Sequence, residues 1–203
     1  DLGARFTKWR GVYSLKEKKP SKLSIYSNAH ALARYSALVQ ESGMVPIIEP
    51  EVLMDGSHSA DDCLNVTSEI IKKCFDELIL HKVDLSGVIL KPNMILSGNT
   101  SKSKITSEEV SSKTLECLKS SVPNEVIGIT FLSGGQTDLE AESHLNIMNQ
   151  SSDLPWRVTF SYARAIQAAA LAAWQGKDEN LESSQSILIE RAQRCSNSSV
   201  GKL

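Results

Sequence analysis

The chain contains 203 residues, of which 41% are hydrophobic and 23% are charged. This composition is sufficient for a sizeable core and shows no sign of intrinsic disorder. The formal net charge of −2 provides no electrostatic attraction for a polyanion or an anionic membrane surface. We therefore expect no nucleic acid and no membrane among the partners of this protein.

The cysteines form no CxxC pair and no metal-ligand spacing. They are Cys63, Cys74, Cys117 and Cys195. This pattern is typical of buried free thiols in a reducing compartment. The run AIQAAALAAW is too short to span a bilayer, nothing at the amino end resembles a signal peptide, and Asp1 is not an initiator methionine. The expectation is a cytoplasmic protein whose beginning is absent.

Short apolar runs alternate with helical patterns along the chain. The predicted strands are residues 6–12, 45–51, 87–94, 127–133 and 157–162. The first helix is predicted to begin after Ser27 and Asn28 and to end at Gly43. Two later helices begin at capping boxes, in which a hydroxyl residue and an acidic residue three positions further on cap each other's N–H groups. These boxes are Ser59 with Asp62 and Thr106 with Glu109.

This alternation of strands and helices predicts right-handed βαβ crossovers and a parallel sheet. The repeat of roughly forty residues, without a Gly-x-Gly-x-x-Gly motif, favours a TIM (β/α)8 barrel over a dinucleotide-binding sheet. Only about five units are present, whereas such a barrel needs eight. We therefore expect an α/β fold in which residues 1–203 form a single domain, an incomplete barrel.

Charged residues gather at the predicted strand ends, where barrels of this type place their functional groups. Because side chains at i and i+2 share a face of a strand, Lys8 and Arg10 should point one way and Trp9 the other. The same rule places Glu49 with Glu51. The alternative for each pair is structural, because the cations could be solvated and the carboxylates could form salt bridges to neighbouring helices.

A lysine follows the apolar run in GVILKPNMI, immediately before a proline. Val88, Ile89 and Leu90 read as a strand buried on both faces, so Lys91 occupies a position where burial is costly. The simplest explanation is that its stem packs at the mouth of the strand and its ammonium group reaches water. By alternation, Lys91 should share its side with Asn93.

The last two predicted strands end in FLSGGQ and TFSYARA. Gly134 and Gly135 allow the backbone to approach a ligand closely, and N–H groups at a helix start favour anions. Arg164 adds a forked cation suited to phosphate oxygens. Glycines after a strand are often only turn residues, but this location agrees with the usual phosphate site of barrels.

Six segments resemble class I fructose-bisphosphate aldolase, in particular its bacterial branch. They are FTKWR, VPIIEPEVLMDGSH, ILKPNM, GITFLSGGQ, FSYARA and AAWQGKDEN, in this order from Phe6 almost to the carboxyl end. The resemblance implies the last five or so βα units of a TIM barrel. It also implies reversible, metal-independent and cofactor-independent cleavage of fructose 1,6-bisphosphate to dihydroxyacetone phosphate and glyceraldehyde 3-phosphate. Such enzymes are commonly tetramers, so the resemblance predicts a homo-oligomer.

The resemblance also assigns roles to residues. Lys91 matches the lysine that forms a Schiff base with the substrate ketone, because a protonated imine accepts the electrons of the broken bond better than a ketone does. Glu49 matches the residue that transfers protons during formation and hydrolysis of the imine. Lys8 and Arg10 match residues that contact substrate hydroxyl and phosphate groups, and Glu51 matches a carboxylate that positions the cations.

The remaining matched positions belong to phosphate binding. They are Ser133, Gly134, Gly135, Ser161 and Arg164. The sequence departs from the family at Ala163, where a glycine is usual in FSYGRA, so a backbone N–H donated at positive φ would be strained there. It also ends at Leu203 instead of a tyrosine, and the family's first strands, with a catalytic aspartate and another lysine, would lie before Asp1.

Two alternatives remain open on the sequence alone. The first is a related Schiff-base aldolase for another phosphorylated sugar. The second is an inactive barrel fragment that serves as a binding or scaffold protein. Intact Lys8, Glu49 and Lys91 argue against loss of catalysis by drift. Five βα units on their own should expose strand edges, and we expect this segment in isolation to be poorly soluble and inactive.

Overall fold

The computed structural model describes residues 2–17, 19–151 and 153–203. The strands are β1 (Phe6–Tyr13), β2 (Val45–Val52), β3 (Ile89–Leu90), β4 (Gly128–Phe131) and β5 (Arg157–Phe160). The α-helices are α1 (Lys22–Glu41), α2 (Ala60–Leu80), α3 (Ser107–Ser121), α4 (Asp138–Asn149), α5 (Arg164–Trp174) and α6 (Leu181–Ser198). Short 3-10 helices at Leu85–Gly87 and Asp178–Asn180 precede β3 and α6.

The strands form one parallel sheet in the order β1-β2-β3-β4-β5. This order follows the chain without the reversal of a doubly wound sheet, so the sheet winds in one direction like the wall of a barrel. Among the described residues, β1 pairs only with β2 and β5 only with β4, and the sheet is open. The predicted α/β fold with an incomplete TIM barrel is confirmed.

The helices cover one face of this sheet. Ile48, Leu90, Ile129 and Val158 face the helix layer and are at most 4% exposed. Because neighbouring side chains along a strand point to opposite faces, the polar residues between these apolar positions must face what would be the barrel interior. The sheet thus separates an apolar core from a polar inner surface.

Helix starts agree with the sequence patterns except at α1. Both predicted capping boxes are present, at Ser59 and Thr106. The predicted start of α1 at Ser27 and Asn28 is wrong, because the helix already begins at Lys22 and Ser21 accepts a hydrogen bond from the N–H group of residue 24. Ser27 and Asn28 lie inside the helix, where packing outweighs their modest preference for a cap.

Strand β3 is much shorter than the predicted 87–94. Only Ile89 and Leu90 pair with both neighbours, and Gly87 belongs to the preceding 3-10 helix. Regular strand pairing ends before Pro92, which has no N–H group to donate, although its carbonyl still accepts a hydrogen bond from the N–H of Leu132 at 3.2 Å. The N–H of Lys91 still donates to the Ile48 carbonyl at 2.8 Å, so the strand geometry carries this residue to the edge of the site.

The four cysteines are free and buried, as predicted. Burial raises the pKa of Cys117 to about 11 and that of Cys74 to about 12, so both thiols remain protonated and unreactive at neutral pH. Within the described ranges, no helix has the length and apolar character that crossing a membrane requires.

Candidate active site

Two cations of β1 and two carboxylates of β2 meet in pairs on the inner face of the sheet. Arg10 is opposite Glu49 in the strand register, but each cation reaches a carboxylate further along β2. Lys8 Nζ lies 2.5 Å from Glu49 Oε2, and Arg10 Nε donates to Glu51 Oε2 at 2.6 Å. The intervening Trp9 packs against a tyrosine of α1, so the predicted common face of Lys8 and Arg10 is confirmed.

The carboxylate of Glu49 also contacts Lys91. Its second oxygen, Oε1, lies 3.2 Å from Lys91 Nζ, so one carboxylate bridges two ammonium groups. Glu49 is only 4% exposed, and the side chain of Lys91 is 12% exposed. A buried carboxylate is costly unless it is paired, and the two lysines supply that pairing. The interpretation in which the stem of Lys91 packs and its ammonium group lies in water is therefore wrong, because that group is paired with a buried carboxylate.

The second pair, Arg10 and Glu51, has a different character. Glu51 is buried, whereas about half of the Arg10 side chain is exposed. The hydrogen bond with Glu51 raises the pKa of Arg10, so the guanidinium remains charged. Only Nε is used in this bond, and within the described part of the chain the terminal nitrogens of Arg10 have no partner. They can bind an anion at the inner surface.

Asn93 does not share the side of Lys91, so that expectation is wrong. Its Oδ1 accepts a hydrogen bond from the N–H of Val52, and its Nδ2 donates to Thr67 on α2. The alternation fails because β3 ends at Leu90 and the backbone turns at the proline that follows Lys91. Asn93 instead fastens the end of β2 to the helix layer.

A glycine-rich loop follows β4. Gly134 and Gly135 have φ values of 52° and 81°, which is the left-handed region that favours glycine. Among residues 2–17, 19–151 and 153–203, the N–H groups of these two glycines have no hydrogen-bond partner. The loop leads into α4, whose cap is Thr137. Free N–H groups in a left-handed turn before a helix form an anion-binding concavity, and buried Ser133 precedes them.

The end of β5 lies beside this loop, because β4 and β5 are neighbours. The N–H of Ser161 donates to the Phe131 carbonyl at 2.8 Å, and Arg164 is the first residue of α5. The side chains of Ser161 and Arg164 are exposed. Ala163 has a φ of −105°, so the expected strain from a methyl group at positive φ does not arise.

The structure therefore brings the predicted residues together to different degrees. Lys8, Glu49 and Lys91 are in direct contact. The positions assigned to phosphate lie at the carboxyl ends of the adjoining strands β4 and β5. Among the described residues, no hydrogen bond joins them to the lysine–carboxylate group, which leaves the two regions separate parts of one strand-end surface.

Two features of this surface were not predicted from the sequence. Thr130 of β4 follows the residue paired with Leu90, so it lies beside Lys91 on the inner face, and its buried hydroxyl has no partner in the part of the chain that is described. The alternation in GITF was the available signal. The glycine-rich loop after β4, residues 133–135, is called the anion loop below. A cavity of about 380 Å³, lined by Ser97, Lys104 and both loop glycines, adjoins the anion loop but does not include Lys91.

This combination of features defines a class of protein: a TIM-type barrel with a buried lysine–carboxylate centre and a separate anion loop at its strand ends. A family model described as "Glycolytic: Fructose-bisphosphate aldolase class-I" matches residues 1–203. The chain belongs to the class I fructose-bisphosphate aldolases.

Individual relatives agree with this membership. The chain is 48% identical over 203 residues to "Probable fructose-bisphosphate aldolase class 1" of Xanthomonas axonopodis pv. citri, covering 99% of this chain and 60% of that protein. It is 44% identical to "Fructose-bisphosphate aldolase 4, cytosolic" of Arabidopsis thaliana over 99% of this chain and 51% of the relative.

A solved structure is also similar. The fructose-bisphosphate aldolase from Plasmodium falciparum, in complex with TRAP and a small molecule inhibitor, matches with a TM-score of 0.96 and 42% identity. The match covers 98% of this chain and 58% of the Plasmodium chain. The chain thus spans somewhat more than half the length of these relatives.

Proposed function

We propose that this chain supplies the Schiff-base half of a fructose-bisphosphate aldolase, which reversibly cleaves fructose 1,6-bisphosphate to dihydroxyacetone phosphate and glyceraldehyde 3-phosphate. The observation that carries the proposal is the buried contact between Lys91 Nζ and Glu49 Oε1 at 3.2 Å. It puts a nucleophilic amine beside a carboxylate able to transfer its protons. Family membership supports the same substrate.

The amine of Lys91 attacks the substrate ketone and forms a carbinolamine. Glu49 then delivers the proton with which the hydroxyl leaves as water, and a protonated imine remains. Glu49, which is again a carboxylate, then takes the proton from the hydroxyl on the carbon beyond the breaking carbon–carbon bond. That hydroxyl becomes the carbonyl of the departing aldehyde, and the electron pair of the broken bond moves into the imine. Protonation of the resulting enamine and hydrolysis by water release the ketone product and restore Lys91. Lys8 holds Glu49 from the other side.

The two phosphate groups of the substrate require two anion-binding regions. Arg10 provides exposed guanidinium N–H groups on β1, and Gly134 and Gly135 provide free backbone N–H groups after β4. Ser133, Ser161 and Arg164 complete the second region. A homo-oligomer, a cytoplasmic location and independence from metals and cofactors are further parts of the proposal, supported by the family and by the names of its relatives.

The test is covalent trapping in the protein as it is expressed from its gene. Borohydride with dihydroxyacetone phosphate should attach the ligand to Lys91, as located by peptide mass spectrometry. Lys91→Met should abolish trapping, whereas Lys104→Met, which removes another lysine near the strand ends, should retain it. An adduct at a different residue would contradict the assignment, and so would loss of activity in the presence of a chelator.

Two other outcomes identify the alternatives. Trapping with another phosphorylated ketose, without turnover of fructose 1,6-bisphosphate, would indicate a related aldolase of different specificity. A folded protein that neither traps nor turns over any phosphorylated sugar would indicate a binding or scaffold role.

A further inference from the structure

Two histidines and a carboxylate form a cluster on the outer helix layer. His30 lies on α1, Glu77 lies in the last turn of α2, and His81 caps the carboxyl end of α2. One candidate ligand atom from each residue lies within 4.8 Å of the others. Because α2 returns antiparallel to the strands, its carboxyl end lies at the opposite end of the barrel from the proposed active site.

The separations in this cluster are only moderately longer than those between ligands of one metal ion. His30 Nδ1 lies 3.2 Å from Glu77 Oε2, and one ring nitrogen of His81 lies within 4.8 Å of the other two candidate ligand atoms. In a tetrahedral Zn²⁺ site with bonds of about 2.0–2.1 Å, neighbouring ligand atoms are roughly 3.3 Å apart. The two imidazole rings stand edge to face with centroids 4.8 Å apart. Side-chain rotations that shorten these separations would bring all three groups to one ion.

The carboxylate of Glu77 is placed to bind a cation. Glu77 is buried, and its two oxygens have different partners. Lys73 approaches Oε1 at 3.2 Å, whereas both histidines approach Oε2. One carboxylate oxygen is thus engaged by the lysine, and the other faces the two imidazoles.

The ring of His81 is held in place by the backbone. Its Nδ1–H donates to the Glu77 carbonyl oxygen at 2.8 Å, and this bond defines the tautomer in which Nε2 carries a free lone pair. A hydrogen bond from the second ring nitrogen to a backbone carbonyl is the usual support of a metal-binding histidine. His30 is about half exposed, which leaves a route for an ion from solvent.

The cluster is more than an ordinary ion pair. A single histidine would satisfy Glu77 together with Lys73, yet a second imidazole stands edge to face against the first, with ring centroids 4.8 Å apart, and makes no hydrogen bond to the carboxylate. The spacing of Glu77 and His81 at i and i+4 puts both on one face of α2, and His30 arrives from the neighbouring helix. No sequence motif reveals this arrangement, because His30 and His81 are far apart in the chain.

We propose that His30, Glu77 and His81 bind one Zn²⁺ ion, which ties α1 to α2. Two imidazoles and one carboxylate suit a borderline cation such as Zn²⁺, whereas Mg²⁺ and Ca²⁺ prefer oxygen ligands alone. Water completes the coordination on the exposed side. The ion has no part in the aldol chemistry. A failure of zinc binding would therefore leave the proposed function unaffected, and the reverse also holds.

Zinc binding is measured on the protein expressed from its gene, stripped of metal and titrated with Zn²⁺ against a chromophoric chelator. One ion per chain should bind and raise the Tm. His30→Asn and His81→Asn should each weaken binding by at least about 10-fold. Lys73→Met should tighten it, because the ammonium group competes for the carboxylate, while Lys72→Met on the exposed side of α2 should leave it unchanged.

Spectroscopy separates this site from adventitious binding. Co²⁺ in place of Zn²⁺ should give the visible absorption of a tetrahedral site in the unmodified protein and in the Lys72→Met variant, and should lose it in both histidine variants. Excess Mg²⁺ should not displace the ion. Zinc affinity that is unaffected by both histidine substitutions, or an absence of stoichiometric binding, would overturn the proposal.

Discussion

Lys91 Nζ and Glu49 Oε1 lie 3.2 Å apart on neighbouring strands of the sheet, both withdrawn from water. The other carboxylate oxygen is held by a lysine of β1. Because β2 lies between β1 and β3, a carboxylate in the second half of this strand reaches cations on both sides. The negative charge therefore holds the amine in place, and in the proposed mechanism the same carboxylate transfers its protons.

This relationship predicts the effect of Glu49→Gln. The amide keeps the shape of the side chain but removes the charge that separates two ammonium groups, and it cannot transfer a proton. We expect kcat to fall by roughly 10²–10⁴-fold. Glu69→Gln, at an exposed position of α2, serves as the control and should retain full activity. An unchanged kcat in Glu49→Gln would show that another group moves the proton.

A second prediction concerns Arg164, the first residue of α5. If its guanidinium binds a phosphate group, Arg164→Ala should weaken phosphorylated ligands by about 2 kcal/mol, which is typical of a hydrogen bond to a charged group. Binding of unphosphorylated fructose should change far less. Arg157→Ala is the matched control, because Arg157 is exposed at the opposite end of β5. Equal losses for both sugars would mean that Arg164 has a structural role.

A third prediction concerns the backbone conformation of the anion loop. Gly134 has a φ of 52°, and an added Cβ would lie 2.9 Å from Leu132 Cδ1. Gly134→Ala should lower the free energy of unfolding by roughly 1–2 kcal/mol and raise the KM for fructose 1,6-bisphosphate. Ala163→Gly should not improve the KM, because φ is already negative there. Urea unfolding and steady-state kinetics measure both effects, and a lower KM in Ala163→Gly would contradict this explanation.

Acidification should destabilise the protein before its carboxylates titrate. Burial is the main cause that lowers the pKa of both His58 and His144 below 6.5. His58 faces Asp62 and Lys104, and His144 faces two glutamates, but these charges do not reverse the shift. The unfolded chain therefore binds more protons near pH 6, so the free energy of unfolding should decrease as pH falls through about 6.5.

The measurement is urea unfolding at about pH 7.5 and about pH 5.5, on either side of the ordinary histidine pKa. His58→Asn and His144→Asn should each reduce the difference in stability between the two values. Carboxylates with lowered pKa, such as Glu77, act in the same direction but below their ordinary range. A double variant with the same pH dependence as the unmodified protein would exclude the two histidines as its source.

Predictions from local sequence patterns are correct where the helix or strand is regular. Ser59 and Thr106 begin their helices as predicted, because a capping box involves only residues three positions apart. The common face of Lys8 and Arg10 also follows from alternation alone. The same rule failed at Asn93, where a proline ends the strand, and the start of α1 was misplaced because a suitable cap also lies upstream at Ser21.

The order of strands and helices, and the residue types at the strand ends, were determined by the sequence itself, because both depend on short-range periodicity. Which charges meet was decided only by the tertiary structure. Lys8, Glu49 and Lys91 are joined by the parallel register of three strands, and His30 reaches Glu77 only because α1 packs against α2. Contacts of this kind depend on distances between elements remote in the chain, and no local pattern encodes them.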